Sequence, residues 1–142
     1  MITPQDIRNI LYRDCKAFGI DEVYVVFEGD EGNSDEIPAI DSKKGLQAER
    51  IVVYVKRQQP GTYWIKNFNE VNIQVPRIQN RANCIRMQEL EHKALELLDG
   101  ITGEYEGCSY LYQIDQIGTE ADTALKCHYV NVILLFQVLN VK

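Results

Sequence analysis

Residues 126–141 read KCHYVNVILLFQVLNV, the most apolar run of the chain, and the fold turns on its period. His128, Val130, Val132, Leu134, Phe136 and Val138 alternate with Cys127, Tyr129, Asn131, Ile133, Leu135 and Gln137. A period of two marks a strand, whose successive side chains point to opposite faces. The first set is almost wholly apolar and the second is mixed. A strand over residues 125–139 is therefore expected in a sheet, with one face on the core and the other partly covered. Cys127 and His128 then lie on opposite faces and do not form a reactive pair. Asn131, polar in the middle of the mixed face, is expected to be hydrogen-bonded or to touch a neighbouring subunit.

Working back from this strand, residues 108–117 (CSYLYQIDQI) read as a further strand, joined to it by a loop, GTEADTA. A helix is predicted over residues 81–99, with Ile85, Met87, Leu90, Ala94, Leu97 and Leu98 on its apolar side and Gly100 ending it. NEVNIQV, residues 69–75, alternates cleanly and is bounded by Pro76. ERIVVYVKR (49–57) and VYVVF (23–27) are two more strands. The first helix is marked by Thr3 as cap, Pro4 and Asp6 in its first turn, an Ile7–Ile10–Leu11–Cys15–Phe18 stripe, and Gly19 after it. Between strands, residues 28–48 are polar and rich in acids, Gly and Pro. They are expected to be a mobile loop within a single domain spanning 1–142. The order predicts an α+β domain: a single, mostly antiparallel sheet of four to five strands with two helices packed on one face.

The chain has 142 residues, 45% of them hydrophobic and 25% charged, enough for one core. Its net charge of −6 argues against a general binder of nucleic acid or anionic membrane. The adjacent pairs Lys43–Lys44 and Lys56–Arg57 leave room for a local basic patch. No run of about 18 apolar residues is present to span a membrane. The start, MITPQDIRNI, lacks the features of a signal peptide, and four cysteines without CxxC spacing read as reduced, cytosolic thiols.

Chemistry finds little purchase. His92 has Glu89 and Glu96 at helical spacing, but one imidazole and two acids on a helix face are common without a metal. No Ser stands in a GxSxG frame and no glycine run has phosphate-loop spacing. The acidic stretch DEGNSDE fails the calcium-loop pattern. No catalytic, cofactor-binding or metal-ligating residues are therefore expected. The eight tyrosines point elsewhere. Tyr63 and Trp64 beside a turn, and Tyr110 and Tyr112 on one strand face, are candidate partner contacts, together with Asn131.

The last third of the chain runs HKALELLDG, SYLYQIDQIG, GTEADTA, CHYVNVILLFQV. With the capped first helix, ERIVVYV and VNIQV before it, this order resembles the bacteriophage tail terminator and head–tail joining proteins, minor capsid proteins among them. Leu97, Leu98, Gly100, Ile117, Gly118, Tyr129 and Asn131 carry the likeness. The resemblance implies a non-enzymatic virion protein of the tail or neck, from a phage or prophage, assembled in the bacterial host cytoplasm. It implies a homo-oligomeric ring, hexameric on assembly, that caps the tail tube and docks to the head connector, without cofactors. DNA would pass through the lumen without specific binding, eased by the acidic balance. Asp30, Glu31, Asp35, Glu36, Lys43 and Lys44 mark the loop expected to order on assembly. The alternatives are a neck or connector completion protein of similar build, and a small hydrolase or nuclease using a Cys/His or acidic site.

Overall fold

A computed structural model describes residues 2–27 and 37–139. Helix α1 (Pro4–Cys15) begins as its sequence predicts. The Thr3 hydroxyl accepts from the Asp6 amide at 3.4 Å, and the Asp6 carboxylate accepts from the Thr3 amide at 2.9 Å. This reciprocal box satisfies two donors that a helix start leaves free. Ile7, Ile10, Leu11 and Cys15 form its buried stripe, each aliphatic side chain contributing about 2 kcal/mol by burial. A 3₁₀ turn (Lys16–Phe18) follows and ends at Gly19, whose φ is +78°. Helix α2 (Cys84–Leu97) is capped by the Asn83 side chain and buries Met87, Leu90 and Ala94. Ile85, read as part of that apolar side, is instead 76% exposed, because it sits in the first turn away from the 87–90–94 stripe.

The strands are β1 (Glu22–Phe27), β2 (Arg50–Val55), β3 (Trp64–Pro76), β4 (Ile101–Tyr105), β5 (Cys108–Asp122) and β6 (Cys127–Leu139). They form one six-stranded sheet in the order β1-β2-β3-β6-β5-β4, curled into a half-barrel. This overturns the expected α+β layout of four to five mostly antiparallel strands: the fold is mostly β, with a mixed sheet and two short helices. Three causes account for the difference. Residues 101–105 (ITGEY) are a full strand, paired to β5 from Ile101↔Tyr112 to Tyr105↔Cys108. Most of GTEADTA belongs to β5, whose pairing with β6 continues to Asp122↔Cys127. And β1 pairs with β2 in parallel, Glu22↔Arg50 through Phe27↔Val55, so the two are no hairpin.

Strand β6 is the spine. It pairs with β3 from Trp64↔Leu139 to Pro76↔Cys127 and with β5 on its other side. One register shift, between Ile114 and Gln116, leaves Asp115 unpaired as a bulge and bends the long hairpin. Val130, Val132, Leu134, Phe136 and Val138 share the core with Ile51, Val53, Val71, Ile73 and the buried stripes of both helices. Phe136 packs against two tyrosine rings, 5.4 Å from Tyr110 and 5.3 Å from Tyr112, which are themselves 6.4 Å apart. The Tyr112 hydroxyl donates to Asp14 Oδ2 at 2.6 Å, and Arg13 Nη2 donates to the Tyr110 oxygen at 2.9 Å. Helix α1 is thereby fastened to β5 through both aromatic tips. Gly103 lies opposite Tyr110, and a Cβ there would come within 2.6 Å of its hydroxyl. That close approach explains a glycine inside β4.

Residues 41–47 pack against the β5–β6 turn. Leu46 N donates to the Leu125 carbonyl at 2.8 Å, and Lys126 Nζ to the Lys43 carbonyl at 2.7 Å. Gly45 makes the approach possible: its φ is +74°, and a Cβ would lie 2.7 Å from Lys126 Cβ and 2.8 Å from the Leu125 oxygen. Gly45→Ala should therefore lower stability by about 2 kcal/mol, combining left-handed strain with a backbone clash. A urea midpoint unchanged from the parent protein would show that this contact carries no weight.

Candidate interaction surface

The helices occupy one face of the sheet, and the other face has two different ends. At the β6 start it is closed. Arg50, Gln74 and Cys127 are buried there. Arg50 Nε donates to Gln74 Oε1 directly across the β2–β3 pair, and its Nη1 to the Pro38 carbonyl at 3.2 Å. Burial pushes the Cys127 thiol up to about 11, a direction that opposes nucleophilic use. His128 points to the core side of the same strand end, with Nδ1 buried and without a hydrogen-bond partner among the described residues.

A polar belt crosses the middle of this face. Asn131 Nδ2 donates to Asn72 Oδ1 at 2.7 Å, its cross-strand neighbour, and also to Glu70. Lys56 Nζ lies 3.9 Å from the Glu70 carboxylate. Tyr129 donates to Glu120 on the other side of β6, and this hydrogen bond to the carboxylate favours the protonated phenol and raises it above its ordinary value. Asn131 is therefore a hydrogen-bonded belt residue.

Beyond the belt the face is open and mixed, its apolar side chains interspersed with Lys66, Gln137 and Gln113. Phe68 lies across from Leu135 and is 40% exposed, while Leu135, Ile133 and Leu111 are half-buried beside it. Trp64 lies on the same face at the start of β3, separated from Phe68 by Lys66. It walls a cleft of about 360 Å³ with Thr102, Gly103, Ser109 and Leu111. Tyr63, next to it, is 75% exposed. Partly exposed aromatic and aliphatic side chains interspersed with a few polar ones, beside a hydrogen-bonded belt, have the mixed composition of a protein interface.

Of the residues singled out from sequence, Trp64 and Tyr63 lie at this surface and Asn131 at its rim. Tyr110 and Tyr112 do not: they are 5% and 0% exposed and belong to the core under α1. Asp30, Glu31, Asp35 and Glu36 lie outside the described residues, while Lys43 and Lys44 sit at the closed end of the sheet. Phe68 and Leu111 were not singled out. Leu111 sits between Tyr110 and Tyr112 on the opposite face, a position that strand alternation alone assigns. Phe68 lies just before the predicted strand 69–75, in a stretch given no element, and only the longer β3 orients it.

Among the described residues, no group of three or more His, Cys, Asp or Glu side chains is placed to hold a metal. No helix among them is long and apolar enough to cross a membrane. No protein-family model and no curated protein matches the chain. A solved structure aligns with 98% of this chain and 95% of its own, at a TM-score of 0.52 and 12% sequence identity. At that identity the likeness shows the fold alone.

Proposed function

We propose that this chain is a non-enzymatic subunit of a phage or prophage virion, a tail terminator or head–tail joining protein. It closes a homo-oligomeric ring, hexameric on the tail, that caps the tube and docks it to the head connector. The observation that carries the reading is the group of partly exposed apolar side chains, Trp64, Phe68 and Leu135, at the open end of the second sheet face. The order of elements that resembles the terminator proteins supports it from the sequence side. In a ring each subunit offers one patch to a different patch on the next. This group and the free sheet edges β1 and β4 supply two such unlike surfaces. The net charge of −6 suits a passage through which DNA slides without being held.

Purified protein mixed with tail-tube polymer of the same genome should give capped tube ends in electron micrographs and a multi-subunit mass by light scattering. Phe68→Asp should weaken that assembly by about 100-fold or more, as loss of an interface anchor does. Its monomer should stay folded at a cost of about 1–2 kcal/mol, because Phe68 is 40% exposed but its Asp replacement suits a strand poorly. A protein that stays monomeric with and without tubes, and leaves their ends bare, overturns the proposal.

A further inference from the structure

The closed end of the sheet carries a second feature, unrelated to that surface. A pocket of about 310 Å³ lies between the end of β3, the turn before β6 and the residue 44–47 segment. Lys44, Arg77 and Lys126 line it, with the amides of Gln47, Gln79 and Asn80, and no carboxylate does among the described residues. Three cations converge here in a chain whose net charge is −6. We propose that this pocket binds an oxyanion of the phosphate class, a site independent of the ring reading.

Arg77 is the central group. Its Nε is buried and has no hydrogen-bond partner among the described residues. A buried donor of a charged group left unmade is costly, and the planar guanidinium fork matches a phosphate or carboxylate in two bonds. Lys126 spends one of its three protons on the Lys43 carbonyl, which aims the ammonium and leaves two free. Gly45, pressed on Lys126, is what brings Lys44 alongside.

The backbone here is also arranged at a cost. Among the described residues four non-glycines have positive φ, and three line this pocket: Gln79 at +51°, Asn80 at +63° and Lys126 at +53°. Gln79 and Asn80 form the corners of a two-residue turn closed by reciprocal Ile78–Arg81 hydrogen bonds of 2.9 Å. Such corners favour Asn-Gly. Glutamine at the first corner gains nothing for the turn, but it delivers an amide to the pocket. Strain concentrated around converging cations is the pattern of a site held ready for a ligand. The polar lining and three positive charges select a small, multiply charged anion over an apolar one. Both orthophosphate and the phosphodiester backbone of nucleic acid offer that chemistry.

The test is an amide-resolved NMR titration with inorganic phosphate at constant ionic strength, set by sodium chloride. Shifts confined to residues 44–47, 77–80 and 125–126, saturating at millimolar phosphate with one site per chain, are expected. Arg77→Gln should weaken the titration by about 10-fold or more, the loss of a charge-assisted pair. Lys44→Gln, at an exposed position, should weaken it several-fold and keeps the test valid if Arg77→Gln fails to fold. Identical shifts with chloride alone, or a titration untouched by Lys44→Gln, overturn the proposal. A short DNA duplex separates the sources. Tighter binding than orthophosphate through the same residues, fading as salt rises, assigns the backbone phosphate. Binding through them no tighter than orthophosphate assigns a free phosphate group.

Discussion

Phe136→Ala should remove about 4 kcal/mol of folding stability, a large share of the total for a domain of this size. The ring is 0% exposed and has Tyr110 and Tyr112 at 5.4 and 5.3 Å. Neither tyrosine is free to fall into the space. Tyr110 is held by Arg13 and Tyr112 by Asp14, both on α1. The cavity therefore stays open, which is the condition under which truncation costs most. Urea unfolding should show a lower midpoint with an unchanged slope. Tyr112→Phe is the natural control. It keeps the stack and removes only the hydroxyl that donates to Asp14, so about 1–2 kcal/mol is expected. A Phe136→Ala loss no larger than that of Tyr112→Phe would mean that the stack is not the centre of the core.

Stability should also be level up to about pH 9 and fall steeply above it. Burial, reinforced by Asp14, pushes the Cys15 thiol from 9.0 up to about 12. Burial likewise pushes Cys127 from 9.0 up to about 11. Both groups are neutral in the folded chain while the unfolded chain begins to ionise. Their contribution is therefore complete below 9, and it is lost as pH rises through the folded values. From 9 to 11 each thiol removes up to about 1.4 kcal/mol per pH unit, and above 11 only Cys15 of the two thiols still contributes. Tyr112, raised by burial and by its bond to Asp14, adds to the fall above about pH 10. Urea midpoints from pH 7 to 11 measure the slope, and Cys15→Ala should make it shallower. A midpoint that does not move between pH 8 and 11 would place both thiols in contact with solvent.

Much of the architecture was legible where a residue had one task. The Thr3 box, the Ile7–Cys15 stripe and the alternation of β6 each follow from local chemistry, and each stands where its residues predicted. The misses lie where two strands share a task. ITGEY has no apolar alternation because Gly103 leaves space for Tyr110, so half of its pattern is written in β5. GTEAD looks like a loop because that end of β5 faces solvent, although its backbone pairs fully with β6. The open surface was half legible: Ile133 and Leu135 marked the mixed face of β6, while Phe68 needed the full length of β3. The phosphate pocket had no local mark. Lys44, Arg77 and Lys126 come from three distant segments, and only Lys44 belonged to a visible basic pair.

The parallel pairing of β1 with β2 changes what the segment between them is for. Two antiparallel neighbours are joined by a two-residue turn, but parallel ones are not. The chain leaves β1 at Phe27, beside Val55, and must re-enter at Arg50, beside Glu22. That return covers about 20 Å, the length of a six-residue strand. At least about six residues are needed to bridge it even when fully stretched. The connection between Phe27 and Arg50 therefore cannot be trimmed to a tight turn. It is the tether that decides which way β1 lies, and shortening it past that limit would reverse the edge strand or set it loose.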